Sequence, residues 1–294
     1  MPQDLNLLLT PKQASDKQYY LPIIAKLLNV DPIQIAFVMV TRRSIDARSR
    51  DVKVSMGVRV FLDEQVPQIL SHQFEYGDVS KRDEVVIVGS GPAGLFAALR
   101  LIELGYKPVV LERGKDVSSR KRDVASLNRN QPINVDSNYA FGEGGAGTFS
   151  DGKLYTRSKK RGDYRKALEA LCFHGASENI LSDAHPHIGT NVLPRIIGNI
   201  RKTIITAGGK VYFDSRVTDI LLKEGKAVGV KTANGDIVTG RAVILATGHS
   251  ARDIYHLLHQ KGILLEAKSF AMGVRVEHPQ ALIDTIQYHK ESRG

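Results

Sequence analysis

The sequence EVVIVGSGPAGLFAALRLIELGYKPVVLE, from Glu84 to Glu112, is the strongest indicator of the fold of this chain. It begins with a short apolar run, EVVIV, that predicts a buried strand. A helix is predicted from Pro92 to Leu104, closed by Gly105, and a second apolar run, PVVLE, predicts a strand that ends at Glu112. The order strand, helix, strand is a βαβ unit, which places two parallel strands in one sheet.

The turn between the first strand and the helix carries the spacing G-x-G-x-x-G at Gly89, Gly91 and Gly94. The first glycine permits a tight turn, the second lets a pyrophosphate approach the backbone, and the third lets the helix pack closely on the strand. The helix N-terminus adds unpaired N–H groups and a partial positive charge of about half a unit. Glu112, 18 residues after Gly94, can accept hydrogen bonds from both ribose hydroxyls and would repel a 2′-phosphate. The pattern predicts a dinucleotide site that disfavours NADP and could hold NAD or FAD.

The rest of this region predicts an open α/β sheet. Residues 113–160 are poor in periodicity and rich in Gly, Asn, Ser and basic side chains, which indicates a long excursion on the ligand side of the sheet. An amphipathic helix is predicted from Leu193 to Ala207, followed by a β-meander with Asn234 and Gly235 at one hairpin turn. We therefore predict a Rossmann-type domain that combines a parallel sheet with a β-meander.

The first part of the chain predicts a separate small α+β module. Residues 4–10, 34–40 and 52–61 have the character of strands, and Lys17 to Leu28 has that of an amphipathic helix, in the order βαββ. A polar linker, YGDVSKRD, precedes the βαβ unit. A further β-like run, FAMGVRVEH, lies close to the last residue. The predicted domains are 1–80, 81–255 and 256–294.

Composition narrows the function classes. The 41 Lys and Arg residues against 31 Asp and Glu leave a net charge of +10, which favours an anionic ligand or partner. The single cysteine, Cys172, excludes an intramolecular disulfide, a thiolate zinc cluster and a dithiol reductase. The N-terminus resembles neither a signal nor a transit peptide, and the apolar runs are too short to span a bilayer. We expect a cytoplasmic protein without a membrane partner.

Five motifs together resemble a family of bacterial FAD-dependent dehydrogenases within the glutathione-reductase-like superfamily. They are GSGPAGLFAALRLIELGYKPVVLERG from Gly89, FGEGGAGTFSDGKL (Phe141 to Leu154), HPHIGTNVLPRIIGNIR (His185 to Arg201), ILATGHSARDIYHLL (Ile244 to Leu258) and FAMGVRVEHPQ (Phe270 to Gln280). The second and fourth are far more specific than the glycine fingerprint. The resemblance extends over nearly the whole chain and implies that the dinucleotide is FAD. It also implies that residues 256–294 are the start of a substrate domain and that the chain is truncated within this domain.

The resemblance also implies positions for the cofactor. The adenine packs on the strand RVTDI with Val217 as a backbone contact, Ala246, Thr247 and Gly248 line the pyrophosphate side, and Arg113 and Arg120 lie near the cofactor. With the glycine turn and the second glycine-rich loop, the expected cofactor-binding residues are Gly89, Gly91, Pro92, Ala93, Gly94, Glu112, Arg113, Arg120, Gly144, Gly145, Ala146, Gly147, Thr148, Val217, Ala246, Thr247 and Gly248.

The glycine-rich loop permits two interpretations. Gly142, Gly144, Gly145 and Gly147 could remove side chains where the backbone passes close to the flavin or its phosphates, with hydroxyls added by Thr148 and Ser150. The alternative is an ordinary flexible loop.

Few residues are candidates for catalysis, metal binding or the recruitment of a charged partner. The segment Lys153 to Lys166 holds seven basic residues that could recruit NAD(P)H phosphates, an acidic substrate or RNA, although a solvated basic face is favoured because no aromatic platform accompanies them. His185 and His187 have no third ligand at a recognisable spacing, so no metal site is predicted. His249 could hydrogen-bond the cofactor or shuttle a proton, or simply cap its loop. Lys153 and His249 are the candidate catalytic residues.

The expected function is that of an FAD-dependent oxidoreductase, a dehydrogenase that passes hydride through the flavin to or from an unknown small molecule, with NAD(P)H as a candidate donor. Two alternatives stay open. One is a non-catalytic nucleotide-binding or RNA-associated module, although nucleic acid is the less favoured partner. The other is a poorly folded remnant with an exposed core.

Overall fold

A computed structural model of the protein describes residues 2–49, 51–62, 73–127, 129, 132–150, 152–154, 162–269, 271–274 and 276–288. The chain divides into two compact units. The first comprises residues 1–71, 178–186 and 268–294, and the second comprises residues 72–177 and 187–267. The predicted domain boundaries stay predictions.

The N-terminal part of the first unit has the expected order βαββ with one additional short helix. Its elements are β1 (Gln3–Leu9), α1 (Pro11–Ser15), α2 (Lys17–Leu28), β2 (Ile35–Asp46) and β3 (Lys53–Leu62). The three strands form an antiparallel sheet in the order β1-β3-β2. Alternate residues of β1 and β3 point to one face, where they pack with α2 into a core. The buried members include Leu7, Leu9, Ile24, Ala25, Val54, Met56, Val58 and Val60.

A later segment of the chain pairs with the edge of this sheet. Arg43 N–H donates to the Ser182 carbonyl at 2.8 Å, and Ala184 N–H donates to the Arg43 carbonyl at 2.8 Å. The Arg43 guanidinium also binds the Asp183 carboxylate at 2.9 Å. The segment therefore covers part of the exposed edge of β2, which would otherwise present unpaired backbone groups.

The predicted β-like run FAMGVRVEH does not form a strand in its described residues, 271–274 and 276–278. Met272 and Val274 are each 88 % exposed. A strand needs a neighbour to pair its N–H and C=O groups, and no strand pairs with the described residues of this run. Residues 270 and 275 lie outside the described part of the chain. A helix, α8 (Gln280–Tyr288), follows.

The second unit contains the predicted parallel sheet. Its first elements are β4 (Glu84–Val88), α3 (Pro92–Glu103), β5 (Lys107–Leu111), α4 (Val117–Leu127), α5 (Tyr164–Phe173), α6 (Leu193–Thr206) and β6 (Lys210–Tyr212). They are followed by β7 (Val217–Lys223), β8 (Lys226–Thr232), β9 (Ile237–Thr239), β10 (Ala242–Leu245) and α7 (Arg252–Gln260). The parallel sheet has the order β10-β4-β5-β6, and β7, β8 and β9 form the antiparallel meander. The α/β class with a Rossmann-type sheet is confirmed.

Apolar side chains join the parallel sheet and the meander. Val86, Val88 and Leu111 of the parallel sheet pack against Val217 and Val230 of the meander. Helices α3 and α6 contact each other and bury one apolar face each. No helix in the described ranges has both the length and the apolar character that crossing a membrane requires.

Helix α4 lies within residues 113–160, a stretch that is poor in hydrophobic periodicity. Asp116 caps it by accepting hydrogen bonds from Ser118 N–H at 2.9 Å and Ser119 N–H at 3.3 Å. Its buried positions are Val117, Arg120 and Val124. A charged residue at the centre of the buried face hides the helical period, because pattern reading assumes that inward positions are apolar.

Candidate dinucleotide-binding site

A cavity of about 630 Å³ opens at the carboxyl ends of β4, β5 and β10. Val88, Leu111 and Leu245, the last residues of these strands, contribute to its lining. Strands β5 and β10 lie on opposite sides of β4, so the chain order reverses at this point of the sheet. Such a switch point is where open parallel sheets bind their ligands.

The turn after β4 is shaped by three glycines in three different surroundings. A Cβ on Gly89, where φ is 104°, would lie 2.5 Å from the carbonyl oxygen of Ala246. A Cβ on Gly94 would collide with the carbonyl of Gly89, so α3 packs directly on the turn. Gly91 is the N-cap of α3 and provides no side-chain hydrogen bond to the first helical turn. The first N–H groups of α3 can therefore serve an anion in the cavity.

Glu112 follows β5 at the cavity wall and is only 4 % exposed. Its Oε2 accepts hydrogen bonds from the N–H and the hydroxyl of Ser90, both at 2.8 Å. Its Oε1 accepts from Gly114 N–H at 2.9 Å and Gly142 N–H at 3.0 Å. A carboxylate offers about four lone-pair positions, and each is engaged by a protein donor. Ribose hydroxyls would have to share these oxygens with the protein or displace its donors.

The second glycine-rich segment, residues 141–148, lies against the first. Gly142, Gly144 and Gly145 have φ values of 113°, 82° and 71°, which other residues rarely adopt. A Cβ on Gly145 would lie 3.1 Å from Gly91 Cα. At these three positions an added Cβ would lie 3.1 Å or less from other protein atoms, so the glycines serve backbone conformation and close packing.

Arg113 connects the excursion after β5 with α7. It donates to Asp136 at 2.8 and 3.0 Å and to Asp253 at 3.1 Å. Its guanidinium lies over the ring of Phe141, 4.1 Å from the centroid, which is a cation–π contact. Arg216 approaches the same Asp136 carboxylate at 3.6 Å. Two arginines and two carboxylates thus form a charge-balanced group beside the cavity.

Arg120 is placed behind the glycine-rich segment and does not line the cavity. Its guanidinium is fully buried and donates to main-chain carbonyls of residues 138–143 and to the hydroxyl of Thr148. Burial lowers the pKa of Arg120 to about 10, and the negative charges of Glu112 and Glu143 oppose that shift. Arg120 therefore still carries its charge at neutral pH.

Glu143 is a second fully buried charged residue in this segment, and the sequence analysis assigns it no role. Its Oε2 accepts from Val117 N–H at 2.7 Å and lies 3.3 Å from the Arg201 guanidinium. Within the described residues its Oε1 has no hydrogen-bond partner. Burial raises the pKa of this carboxyl group. Glu143 anchors the N-terminus of α4 and lies outside the cavity lining.

Most residues expected to bind the cofactor meet at the one cavity. Those that line it are Gly89, Gly91, Pro92, Ala93, Glu112, Arg113, Gly145, Ala146, Gly147, Val217, Ala246, Thr247 and Gly248. Gly94, Arg120, Gly144 and Thr148 do not line it and instead pack behind its walls. Sites separated by more than 150 positions in the sequence are thus brought together by the parallel sheet.

The two candidate catalytic residues are placed differently. His249 lines the cavity and is exposed, with Nε2 3.5 Å from the Ser250 hydroxyl. Lys153 is exposed, forms an isolated bridge with His187 and does not line the cavity. Most of the basic segment that begins at Lys153 lies outside the described residues, including Arg157, Lys159, Lys160 and Arg161.

Four residues that line the cavity or contact its lining were not predicted from the sequence. Ser90 occupies a variable position of the glycine motif, yet its hydroxyl binds Glu112. Phe141 and Asp253 stand inside the motifs FGEGGAG and ATGHSARD, which offered a signal for them, whereas Asp136 stands in a stretch with no recognisable pattern. No cluster of three His, Cys, Asp or Glu side chains suited to a metal occurs among the described residues.

Comparison with known proteins gives three family matches. Residues 83–270, more than half of the chain, match the family described as pyridine nucleotide-disulphide oxidoreductase. Residues 1–61 match a domain of unknown function, and residues 269–294 match the family described as FAD-dependent protein, C-terminal domain-like.

Individual relatives extend the comparison. An uncharacterized protein of Clostridium beijerinckii is 40 % identical over 282 residues, which cover 90 % of this chain and 52 % of the relative. Protein FixC of Salmonella typhi is 27 % identical over 213 residues, covering 68 % of this chain and 45 % of FixC. The chain thus spans about half the length of these relatives. The crystal structure of Thermovibrio ammonificans THI4 matches at 21 % identity and a TM-score of 0.42, over 63 % of this chain and 65 % of that one. By the match over residues 83–270, the chain belongs to the pyridine nucleotide-disulphide oxidoreductase family.

Proposed function

We propose that this chain is the FAD-binding part of an FAD-dependent oxidoreductase. The observation that carries the proposal is the convergence of two glycine-rich segments and the ribose-type acid Glu112 on one cavity at the switch point of the sheet. Family membership supports an oxidoreductase, and the match of residues 269–294 to an FAD-dependent C-terminal domain supports the choice of FAD.

The residues present fit the adenosine diphosphate half of FAD. The start of α3 faces the cavity through Gly91, Pro92 and Ala93 and would hold the pyrophosphate on backbone N–H groups. Glu112 would accept the ribose hydroxyls, and its negative charge would repel a 2′-phosphate. Val217, at the start of β7, would contact the adenine. A Cβ at Gly147 would meet no atom within 4 Å, so this cavity position has room for a ligand.

The bound flavin would supply the acceptance and donation of hydride. The protein's own part is to bind the dinucleotide and to select an adenosine with a free 2′-hydroxyl. It would also hold the cofactor through the charged cluster of Arg113, Arg216, Asp136 and Asp253. His249 is the candidate for holding or moving a proton at its exposed imidazole beside Ser250. NAD(P)H is the proposed electron donor, which the family description supports, and the acceptor is a small molecule.

Calorimetric titration of the purified chain with FAD, ADP, FMN and NADP⁺ tests this assignment. A site that reads the adenosine diphosphate half should bind FAD and ADP, bind FMN far more weakly, and discriminate against NADP⁺ because of Glu112. Binding of FMN with an affinity equal to that of FAD would contradict the assignment of the cavity. Failure of both FAD and ADP to bind would contradict the proposed function itself.

A further inference from the structure

The guanidinium of Arg120 is fully buried and is directed at the main chain of one segment. Its hydrogen bonds run to the carbonyls of residues 138 (2.9 Å), 139 (3.1 Å), 142 (3.1 Å) and 143 (2.7 Å) and to the Thr148 hydroxyl (3.2 Å). These acceptors belong to residues 138–148, the excursion that contains the second glycine-rich segment. The guanidinium also lies 5.3 Å from the ring centroid of Phe149.

This segment needs an external support because its backbone is irregular. Gly142, Gly144 and Gly145 have positive φ values, and a regular helix or strand cannot contain such a run. Glycine also loses more conformational freedom on ordering than any other residue. Five donors in a rigid planar fork are well suited to fix several carbonyls at different positions, whereas a lysine offers fewer donors, all on one nitrogen.

The segment separates Arg120 from the cavity. Gly142, Gly145, Ala146 and Gly147 line the cavity, whereas Arg120 does not. Gly142 also packs so closely on Arg120 that an added Cβ would collide with the arginine side chain. Arg120 therefore lies behind the segment that forms this wall of the cavity. The opposite surface of the segment faces the cavity and would meet a dinucleotide.

We propose that Arg120 is a positioning residue of the cofactor site, which holds residues 138–148 in the shape that receives FAD and does not itself contact the dinucleotide. The proposal rests on the proposed function, and it replaces the expectation that Arg120 binds the cofactor directly. Removing the guanidinium should release the segment first and weaken FAD binding as a consequence.

The test compares Arg120→Met and Arg120→Lys with Arg122→Met, a control on the same helix whose side chain is exposed. Backbone hydrogen exchange is measured without FAD, and FAD affinity is measured by titration. Arg120→Met should raise exchange in residues 138–148 by about tenfold or more, with little change in β4 and β5, and should weaken FAD binding by a similar factor because charge-assisted hydrogen bonds are lost. Arg120→Lys should fall between Arg120→Met and the wild type, and Arg122→Met should match the wild type.

Two results would overturn the proposal. One is unchanged exchange in residues 138–148 of Arg120→Met, and the other is weakened FAD binding without any change in exchange, which would indicate direct contact. If Arg120→Met does not fold, Arg120→Lys, which keeps the buried charge but loses the planar set of donors, is compared with the wild type, and the same two results decide. If the wild type binds no FAD, the proposed function is wrong, while the exchange data still show whether Arg120 holds the segment.

Discussion

At the scale of single residues, Glu112 combines two tasks. It holds Ser90, Gly114 and Gly142 through hydrogen bonds of 2.8 to 3.0 Å, and it is the proposed acceptor for ribose. Glu112→Gln keeps the shape of the side chain, but its amide nitrogen places two N–H donors opposite protein groups that are themselves donors. We expect a loss of about 1.5–3 kcal/mol of binding free energy, and therefore roughly tenfold or weaker FAD binding. The control is Glu224→Gln at an exposed hairpin turn, and equal FAD affinity in the two variants would contradict the ribose assignment.

Gly145 tests the contact between the glycine-rich segments. Its φ is 71°, and a Cβ would lie 3.1 Å from Gly91 Cα, whereas Gly225 has a φ of 73° and a Cβ there would meet nothing within 4 Å. Gly225→Ala should therefore report the backbone cost alone, about 1–2 kcal/mol of unfolding free energy. Gly145→Ala should cost more in urea denaturation and should also weaken FAD binding. Identical losses of stability and unchanged FAD binding in both variants would show that the segments do not depend on this contact.

The role of a residue could be predicted where its position in a sequence motif allows only one structural or chemical role. Gly89, Gly94 and Glu112 could be selected because turn geometry, close packing and ribose chemistry each require one residue type. Ser90 and Glu143 could not be selected, because their importance comes from partners that only the folded chain brings close. The resemblance pointed to Arg120, but its position behind the cavity wall depends on tertiary packing.

At the scale of elements, α7 is joined to the segment after β5 by the Arg113–Asp253 ion pair. Asp253 is 45 % exposed, so the pair is worth about 0.2–1 kcal/mol at most. Asp253→Asn should therefore speed FAD dissociation by no more than about fivefold. Added salt should speed dissociation from the wild type more than from the variant, since salt screens the pair. The release of flavin fluorescence after dilution measures both rates, and equal salt dependence would contradict a role for this pair.

The end of α5 is held to α6 by His174. Its Nδ1 lies 2.6 Å from the Ala170 carbonyl and its Nε2 lies 3.2 Å from the Thr203 hydroxyl. Burial lowers the pKa of His174 from 6.5, and the hydrogen bond to Ala170 opposes that shift. The unfolded chain then binds more protons below pH 6.5 than the folded chain, so this residue's contribution to stability falls as pH drops below 6.5.

His174→Gln tests this pH dependence, because glutamine does not titrate. The difference in unfolding free energy between the wild type and His174→Gln should shrink as pH falls from neutral to values below 6.5. Urea denaturation at several pH values measures it. A difference that stays constant or grows on acidification would mean that His174 is not held neutral by burial.

Most helices and strands could be predicted because their apolar residues recur without interruption at the spacing of a helix or a strand. The strands β4 and β5, the helices α2 and α6 and the meander each repeat apolar residues at the spacing of their own geometry. Helix α4 was not predictable because Arg120 occupies the centre of its buried face. The run FAMGVRVEH has strand character, but pairing is a property of two segments and cannot be read from one.

At the scale of the whole molecule, residues from five regions of the sequence meet in one cavity, at positions 88–93, 111–113, 140–147, 215–217 and 245–258. The parallel order β10-β4-β5-β6 achieves this by placing the carboxyl ends of β4, β5 and β10 side by side. The positive balance of the chain, +10, is compatible with an anionic dinucleotide but does not select one. The order of strands, together with the glycines and Glu112, is what supports the proposed dinucleotide.

The most direct test is the visible absorption spectrum of the purified wild-type chain after incubation with FAD and removal of free ligand. We predict that a flavin spectrum stays with the protein, that denaturation releases it, and that Glu112→Gln retains less of it than Glu224→Gln. A folded wild-type chain that remains colourless after this treatment would contradict the assignment of the cavity to FAD.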